Sequence, residues 1–362
     1  MELNEQEICA TFDQRVEEGI VIFNGYRAVL HSEQSFQVNY LPSLQPNSLE
    51  VKAKLRSFQI EFRVLSGLAH KPVTPGTEPS PNPTSASNPP SSTSSSASST
   101  SSYGLRPGSD IDISGYEITL LPPRHILAFN KFSAARPHVL ILTEDGHRRQ
   151  YEPLDIGDIQ ALRSVLSSLV KTGETRYLGI YNCGVDSGCS RLHKHLQVFP
   201  APELPELESQ TQGEGEGKGF SLWPDSMGED EDQLKNLPMK CFVKKFDQAD
   251  EFPGEDEILQ AYTELLEKAT QALTQATRKG GVDIAIAKEG VIPHNVILDK
   301  KWMVVVPRRN AGLHGLVPNA AAILGMVWVP NEKQLKAWMG EGVSRVLAHA
   351  GIPQGQEQQV SE

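Results

Sequence analysis

No Cys-x-x-Cys spacing occurs in the chain, whose four cysteines stand apart at 9, 183, 189 and 241. Thiols so placed make a poor zinc site and a poor disulfide framework, and they suit a reducing, intracellular setting. Positive charge is short as well. A formal net charge of -11 argues against extended contact with nucleic-acid backbone or anionic lipid, while leaving room for a local basic pocket around a small anion. No apolar run approaches the length of a membrane span, and the acidic opening MELNEQEICATFDQRVEEG lacks the features of a signal peptide. The expectation is a soluble, cytoplasmic or also nuclear protein, with no nucleic-acid or membrane partner and with its oligomeric state open.

Apolar residues almost vanish from Lys71 to Asp110, where KPVTPGTEPSPNPTSASNPPSSTSSSASSTSSYGLRPGSD is dominated by Ser, Pro and Thr. Such a segment cannot bury enough surface to offset its ordering entropy, so 71–110 reads as a disordered insert. It divides an N-terminal part of the catalytic unit (1–70) from a catalytic half (111–200). A flexible acidic loop (201–236), rich in Glu, Gly and Pro, leads to a C-terminal half (237–352).

What remains is strongly patterned. Tyr116–Leu121, His125–Asn130 and His138–Thr143 are short aliphatic runs between turn residues and read as antiparallel strands. EPLDIGDIQALRSVLSSLV reads as a helix with Asp155 as N-cap and Ile159, Leu162, Leu166 and Leu169 on one face. Tyr177–Asn182 and His193–Phe199 return to strand. Lys240–Phe246 (strand), Glu255–Thr277 (helix), four strands at Asp283–Ala287, His294–Asp299, Trp302–Val306 and Ala322–Val329, and a closing amphipathic helix over Glu332–Ala350 repeat that order. The reading is an α+β fold of two similar halves in one chain, each an antiparallel sheet with a packed helix.

GCSRLHKHLQVFP, from Gly188 to Pro200, carries the chemistry. In a strand, His193, His195 and Gln197 share one face, while Lys194, Leu196 and Val198 point the other way. Just upstream, NCGVDSGCS supplies a glycine- and serine-rich turn that can aim backbone N–H groups and hydroxyls at one anion. An anion cradle feeding a strand of imidazoles suits phosphoryl chemistry, in which neutral donors hold oxygens and one imidazole attacks phosphorus. Gln197 can donate a hydrogen bond without offering a proton-transfer group. Half of a zinc site, or the solvent face of an edge strand, would also place His-x-His here; the Gly-Ser approach weighs against the second, and no Cys or acidic partner at ligand spacing supports the first.

H-x-H-x-Q followed by two apolar residues resembles the signature of the transferase branches of the histidine triad superfamily. Galactose-1-phosphate uridylyltransferases carry a similar run with proline between the histidines. Fungal diadenosine tetraphosphate phosphorylases (ATP adenylyltransferases) carry His-Lys-His-Leu-Gln, as here. EFRVLSGLAHKP, FNKFSAARPHVLILT, YNCGVDSGCSRLHKHLQVF and HNVILDKKWMVVVPRR are similar to phosphorylase segments. The metal-binding cysteine pairs of many uridylyltransferases are missing.

This resemblance implies a histidine-triad-like fold and a nucleotidyltransferase that converts diadenosine tetraphosphate and phosphate into ATP and ADP. His195 is the implied nucleophile, His193 orients the pocket, and Gln197 holds a nonbridging oxygen. Asn182, Ser187, Gly188, Cys189 and Ser190 match the phosphate loop. Lys71, Asn130 and Lys131 match polyphosphate and nucleotide contacts, and Asn295, Lys300 and Arg308 are carried over from the second half. Magnesium suits a polyphosphate, but no acidic cluster at a recognisable spacing marks a site, so no cofactor is assigned. Cys189, Asp299 and PNAAAILG depart from the family pattern, which leaves polyphosphate length and phosphate-versus-sulfate preference open. The alternatives are hexose-1-phosphate uridylyltransferase-like exchange and a catalytically silent nucleotide sensor.

Overall fold

The structure is a computed structural model that describes residues 3–34, 57–71, 105–172, 175–202, 220–227, 234–247, 251–280 and 291–354. The expected strand Asp283–Ala287 and most of the expected insert (72–104) and acidic loop (203–219, 228–233) lie outside them.

Eight strands form one sheet: β3 (Glu117–Leu121), β4 (His125–Phe129), β5 (Val139–Thr143), β6 (Tyr177–Cys183), β7 (His195–Pro200), β8 (Phe242–Lys245), β9 (His294–Leu298) and β10 (Trp302–Pro307). Their order across the sheet is β3-β4-β5-β7-β6-β9-β10-β8, antiparallel throughout. The two sets of strands read from the sequence thus join edge to edge where β6 pairs with β9, Asn182 opposite Asn295. A smaller sheet, β1 (Arg27–Gln34), β2 (Ser57–Val64) and β11 (Met326–Val329), lies apart from it.

Residues alternate between the two faces of a strand, and the core divides accordingly. Leu196 and Val198 of β7 pack with helices α1 (Glu5–Glu17), α2 (Ile156–Thr172) and α4 (Glu255–Gly280). Phe199, on the opposite face, packs with the small sheet and with α3 (Trp223–Ser226), α5 (Ala320–Ile323), α6 (Glu332–Glu341) and α7 (Val343–Ala350). The eight-stranded sheet is therefore covered on both sides. Both the fully buried strands and the weak alternation of β4, β5, β6, β9 and β10 follow from that.

Several boundaries differ from the sequence reading for local reasons. Glu332–Ala350 is two helices, broken at Gly342, whose φ of +85° lies outside the helical region. Ala322–Val329 shortens to β11 because Asn319 caps a preceding helical turn, its side chain accepting from Ala322 N–H. At the far end of the expected insert, Ser109 and Asp110 bond to His193, just ahead of β7, and within the expected acidic loop Phe220, Leu222 and Trp223 are buried.

Candidate active site

His195 opens β7 at the end of the strand where β6 gives way to the 184–190 turn. Its ring Nδ1 lies 2.8 Å from the His193 carbonyl oxygen. A carbonyl only accepts, so the proton sits on Nδ1 and the lone pair on Nε2. Burial pushes its pKa down to about 4, the Nδ1 hydrogen bond opposing and the neighbouring His193 and Lys71 adding a little. The imidazole is neutral at physiological pH, with a basic nitrogen facing a cavity.

Two cavities meet at this residue. One, of about 260 Å³, extends toward Asp112, Tyr116 and Lys131. The other, of about 420 Å³, extends toward Gly188, Asn319 and Trp328. His195, Gln197, Lys71, Asn130 and Ser190 line both.

Gln197, two residues along the same strand face, is aimed by a residue the sequence reading passed over. The Ala134 N–H donates to His138 Nδ1 (3.2 Å), which leaves the His138 proton on Nε2. That N–H donates to Gln197 Oε1 (3.1 Å). The carboxamide's acceptor is thereby occupied, and its two N–H donors are left for the cavity it lines.

His193 does not share that role. Its ring is 1 % exposed and both nitrogens are taken by the protein. Nε2 donates to the Thr143 carbonyl (3.0 Å), so Nδ1 accepts from the Ser109 hydroxyl (2.8 Å). The Asp110 carboxylate accepts from the backbone N–H of both Leu192 and His193, at 2.8 Å each. The His193 ring therefore has no nitrogen left for a ligand, and the residue meets His195 through its carbonyl, as the partner of His195 Nδ1. Ser109, Asp110 and Thr143 gave no local signal, because they approach from distant segments.

The cradle sorts in the same way. Gly188, with φ of +80°, has room for no side chain: a Cβ would stand 2.6 Å from the Pro318 carbonyl oxygen. Gly188, Cys189 and Ser190 line the larger cavity with Asn182. Asn182 Oδ1 accepts from Asn295 Nδ2 (2.8 Å) and from Ala320 N–H (2.9 Å), which turns its own amide donors outward. Cys189 is held as the thiol, burial raising its pKa to about 12. Ser187 is buried and donates to the Cys183 carbonyl (2.6 Å); it locks the turn and lines neither cavity.

Asn295 and Arg308 stand behind the cradle and out of reach of a ligand. Asn295 donates to Asn182 Oδ1 and the Ser187 carbonyl. Arg308, 1 % exposed, donates to Asn295 Oδ1 (2.8 Å), the Pro318 carbonyl (2.9 Å) and the Ala311 carbonyl (3.1 Å). Lys300 falls in the β9–β10 turn and lines neither cavity. For these three, and for Ser187, the expected direct contact gives way to bracing or to a remote position.

Lys131 lies in the smaller cavity, its ammonium 5.6 Å from the Tyr116 ring centroid. Lys71 sits at the shared mouth, exposed as a residue. Desolvation of its ammonium first, then the nearby Arg191 guanidinium, lower its pKa to about 8, and solvent reaching the side chain tempers the first effect. Among the described residues no group of three or more His, Cys, Asp or Glu is placed to hold a metal ion, and no helix is long and apolar enough to cross a membrane.

Known proteins resemble this chain in sequence and in fold. Residues 115–211 match the Ap4A phosphorylase N-terminal domain, and residues 235–353 match the ATP adenylyltransferase C-terminal domain. The chain is 27% identical over 248 residues to diadenosine 5',5'''-P1,P4-tetraphosphate phosphorylase 2 of Saccharomyces cerevisiae, which covers 65% of this chain and 72% of that one. The crystal structure of yeast Ap4A phosphorylase Apa2 superposes with a TM-score of 0.63 at 20% identity, over 98% of this chain and 99% of that one. The same enzyme in complex with Ap4A gives 0.58 at 21% identity, over 98% of each chain.

Proposed function

Since the chain belongs to the Ap4A phosphorylase (ATP adenylyltransferase) family, we propose that it phosphorolyses diadenosine tetraphosphate to ATP and ADP through an adenylyl group carried on His195 Nε2. The observation that supports the histidine route is the ring itself. It is neutral, its tautomer is set by the His193 carbonyl, and its free nitrogen stands where two cavities meet. A ligand with a nucleoside at each end and phosphates in the middle suits such a pair of cavities, each near the size of an ordinary small-molecule site.

In the first step the Nε2 lone pair forms a bond to the α-phosphorus, the bond from that phosphorus to the bridging oxygen breaks, and ATP leaves. The imidazole gains positive charge as it does so, and its Nδ1–H stays bonded to the His193 carbonyl, which steadies that charge. The Gln197 amide, and the Asn182 amide turned outward by its neighbours, are the neutral donors for nonbridging oxygens. Lys71 and Lys131 offset the charge of the chain of phosphates. In the second step an oxygen of inorganic phosphate attacks the same phosphorus from the vacated side, the phosphorus–nitrogen bond breaks, and ADP leaves. Two in-line displacements at one histidine are covalent catalysis of the usual kind.

Incubation with diadenosine tetraphosphate is expected to yield ATP and ADP only when phosphate is present. AMP with ATP, formed whether or not phosphate is added, would make the protein a hydrolase and sink the reading. His195→Ala is expected to lower kcat on the order of a thousandfold or more. Quenching the parent with substrate but no phosphate should leave label on the protein that is stable to alkali and lost in acid.

A further inference from the structure

β6 and β7 are paired from Tyr177 opposite Pro200 to Ile180 opposite Gln197. Continuing that register by two residues would set Asn182 directly opposite His195, with their Cα atoms about 5 Å apart. The ladder stops short of that pair. In its place lies the side-chain carboxamide of Gln150, a residue from the segment before α2 that is 2 % exposed. Its Oε1 accepts from the His195 backbone N–H at 2.8 Å. Its Nε2 donates to the His195 carbonyl at 3.0 Å and to the Asn182 carbonyl at 3.0 Å. The Gln150 main chain is fixed as well: its N–H donates to the Leu192 carbonyl (2.8 Å), and its carbonyl accepts from Gly184 N–H (3.0 Å) and the Tyr181 hydroxyl (3.0 Å).

We propose that Gln150 is a positioning residue for the phosphorolysis reaction: its carboxamide takes the place of a peptide group between β6 and β7, wedging the strands apart at the cradle and fixing the backbone of His195. A primary amide is the side chain for this, since it carries one acceptor and two donors in one plane and keeps them at any pH. Of the backbone groups freed when the strands part, the wedge meets the His195 N–H and the carbonyls of both His195 and Asn182, so those buried peptide groups keep partners as the cleft opens. Direct pairing of Asn182 with His195 would instead bring the cradle against the nucleophile and close the space between them. Gln150 lines neither cavity, and its effect on a substrate passes through the position of His195.

The proposal rests on the reading of His195 as nucleophile, and its test separates the two. Gln150→Leu keeps most of the volume and none of the hydrogen bonds. It is expected to lower kcat about 100-fold, the scale of an ångström's misplacement of a reacting group, with KM for diadenosine tetraphosphate changed less than about threefold. Gln150→Glu is the conservative rescue. Only its protonated carboxyl can both accept from the His195 N–H and donate to a carbonyl, and burial between two carbonyl oxygens favours that form. Its activity relative to the parent is therefore expected to rise at least about tenfold above that of Gln150→Leu by pH 5.5, measured where all three proteins are folded. Hydrogen exchange at the His195 backbone amide, slow in the parent, is expected to quicken in Gln150→Leu. Gln150→Leu with kcat within threefold of the parent, or Gln150→Glu as impaired as Gln150→Leu at every pH, would overturn the proposal. If the parent fails to turn over the substrate, the nucleophile reading fails, while unchanged amide exchange in Gln150→Leu would by itself sink the wedge.

Discussion

Burial pushes the His138 pKa down to about 3, against the smaller opposing pull of its hydrogen bond to Gln197. The ring is thus a neutral donor whose one proton is committed to the Gln197 oxygen. His138→Phe keeps a ring among Phe199 and Trp328, which it meets edge-on, but it lets the carboxamide turn. Loss of one neutral hydrogen bond of about 1 kcal/mol predicts a fall in kcat of up to about tenfold. Gln197→Ala, which removes the donor altogether, is expected to cost about 100-fold. Steady-state kinetics of both variants check the order, and a His138→Phe enzyme slower than Gln197→Ala would contradict it. Period-two alternation made His195 and Gln197 legible as one face, and both do line the cavities. It misplaced His193, because a strand's alternation says nothing about what covers it. Ser109, Thr143 and Asp110 arrive from elsewhere in the chain and take its ring and its N–H.

The first turn of α2 shows how an element holds the catalytic strand from behind. Asp155 and Asp158 cap it reciprocally: Asp158 N–H donates to Asp155 Oδ1 (3.0 Å) and Asp155 N–H to Asp158 Oδ2 (2.9 Å). The same Asp158 carboxylate meets Lys194 of the His-Lys-His run at 2.5 Å and His125 Nε2 at 2.9 Å, with Lys194 and Asp158 both fully buried. The Asp155 cap and the face opposite the histidines for Lys194 were readable from spacing; the ion pair of Asp158 with Lys194 was not, since it joins residues thirty-odd positions apart through the packing of α2 on the sheet. Asp158→Asn leaves the Lys194 ammonium buried without a counter-charge and is expected to destabilise the fold by about 3–5 kcal/mol. Adding Lys194→Met to that variant removes the stranded charge. The double variant is expected to be more stable than Asp158→Asn alone in urea unfolding, with near-parental turnover because neither side chain reaches the cavities. A double variant no more stable than the single one would mean that the pair is not coupled in this way.

Across the whole molecule, the joining of two strand sets into one sheet buries imidazoles on the sheet and at its seams. His138 lies on the small-sheet side, His195 at the mouth between β6 and β7, and His294 at the seam where β9 meets β6. Each strand of that seam is buried along its whole length, so the sequence shows the strands but carries no mark of which edges pair. His294 is wholly buried, its Nδ1 on the Ile292 carbonyl (2.8 Å) and its Nε2 against the Tyr262 hydroxyl (3.1 Å). Burial lowers its pKa to about 4, the same value as His195, and His138 falls to about 3. In the unfolded chain all three return to about 6.5. Between about pH 4 and pH 6.5 the unfolded state therefore binds more protons than the folded one, so stability rises with pH through that window and is lost as the solution is acidified. At pH 5 the loss is about 2 kcal/mol for each ring relative to neutral pH, and three rings together are a large part of an ordinary folding free energy. Thermal unfolding followed from pH 7.5 to 5 is expected to show Tm falling by roughly 10 °C. Acidification below pH 4 adds the release of Asp158, whose pairing with His125 and Lys194 outweighs its burial and holds its pKa near about 2. The decisive comparison is His294→Gln, which removes one titrating ring that lines neither cavity: its Tm should depend less steeply on pH than the parent's by about a third. A slope unchanged by that substitution would show that the acid sensitivity of the fold arises from groups other than these buried imidazoles.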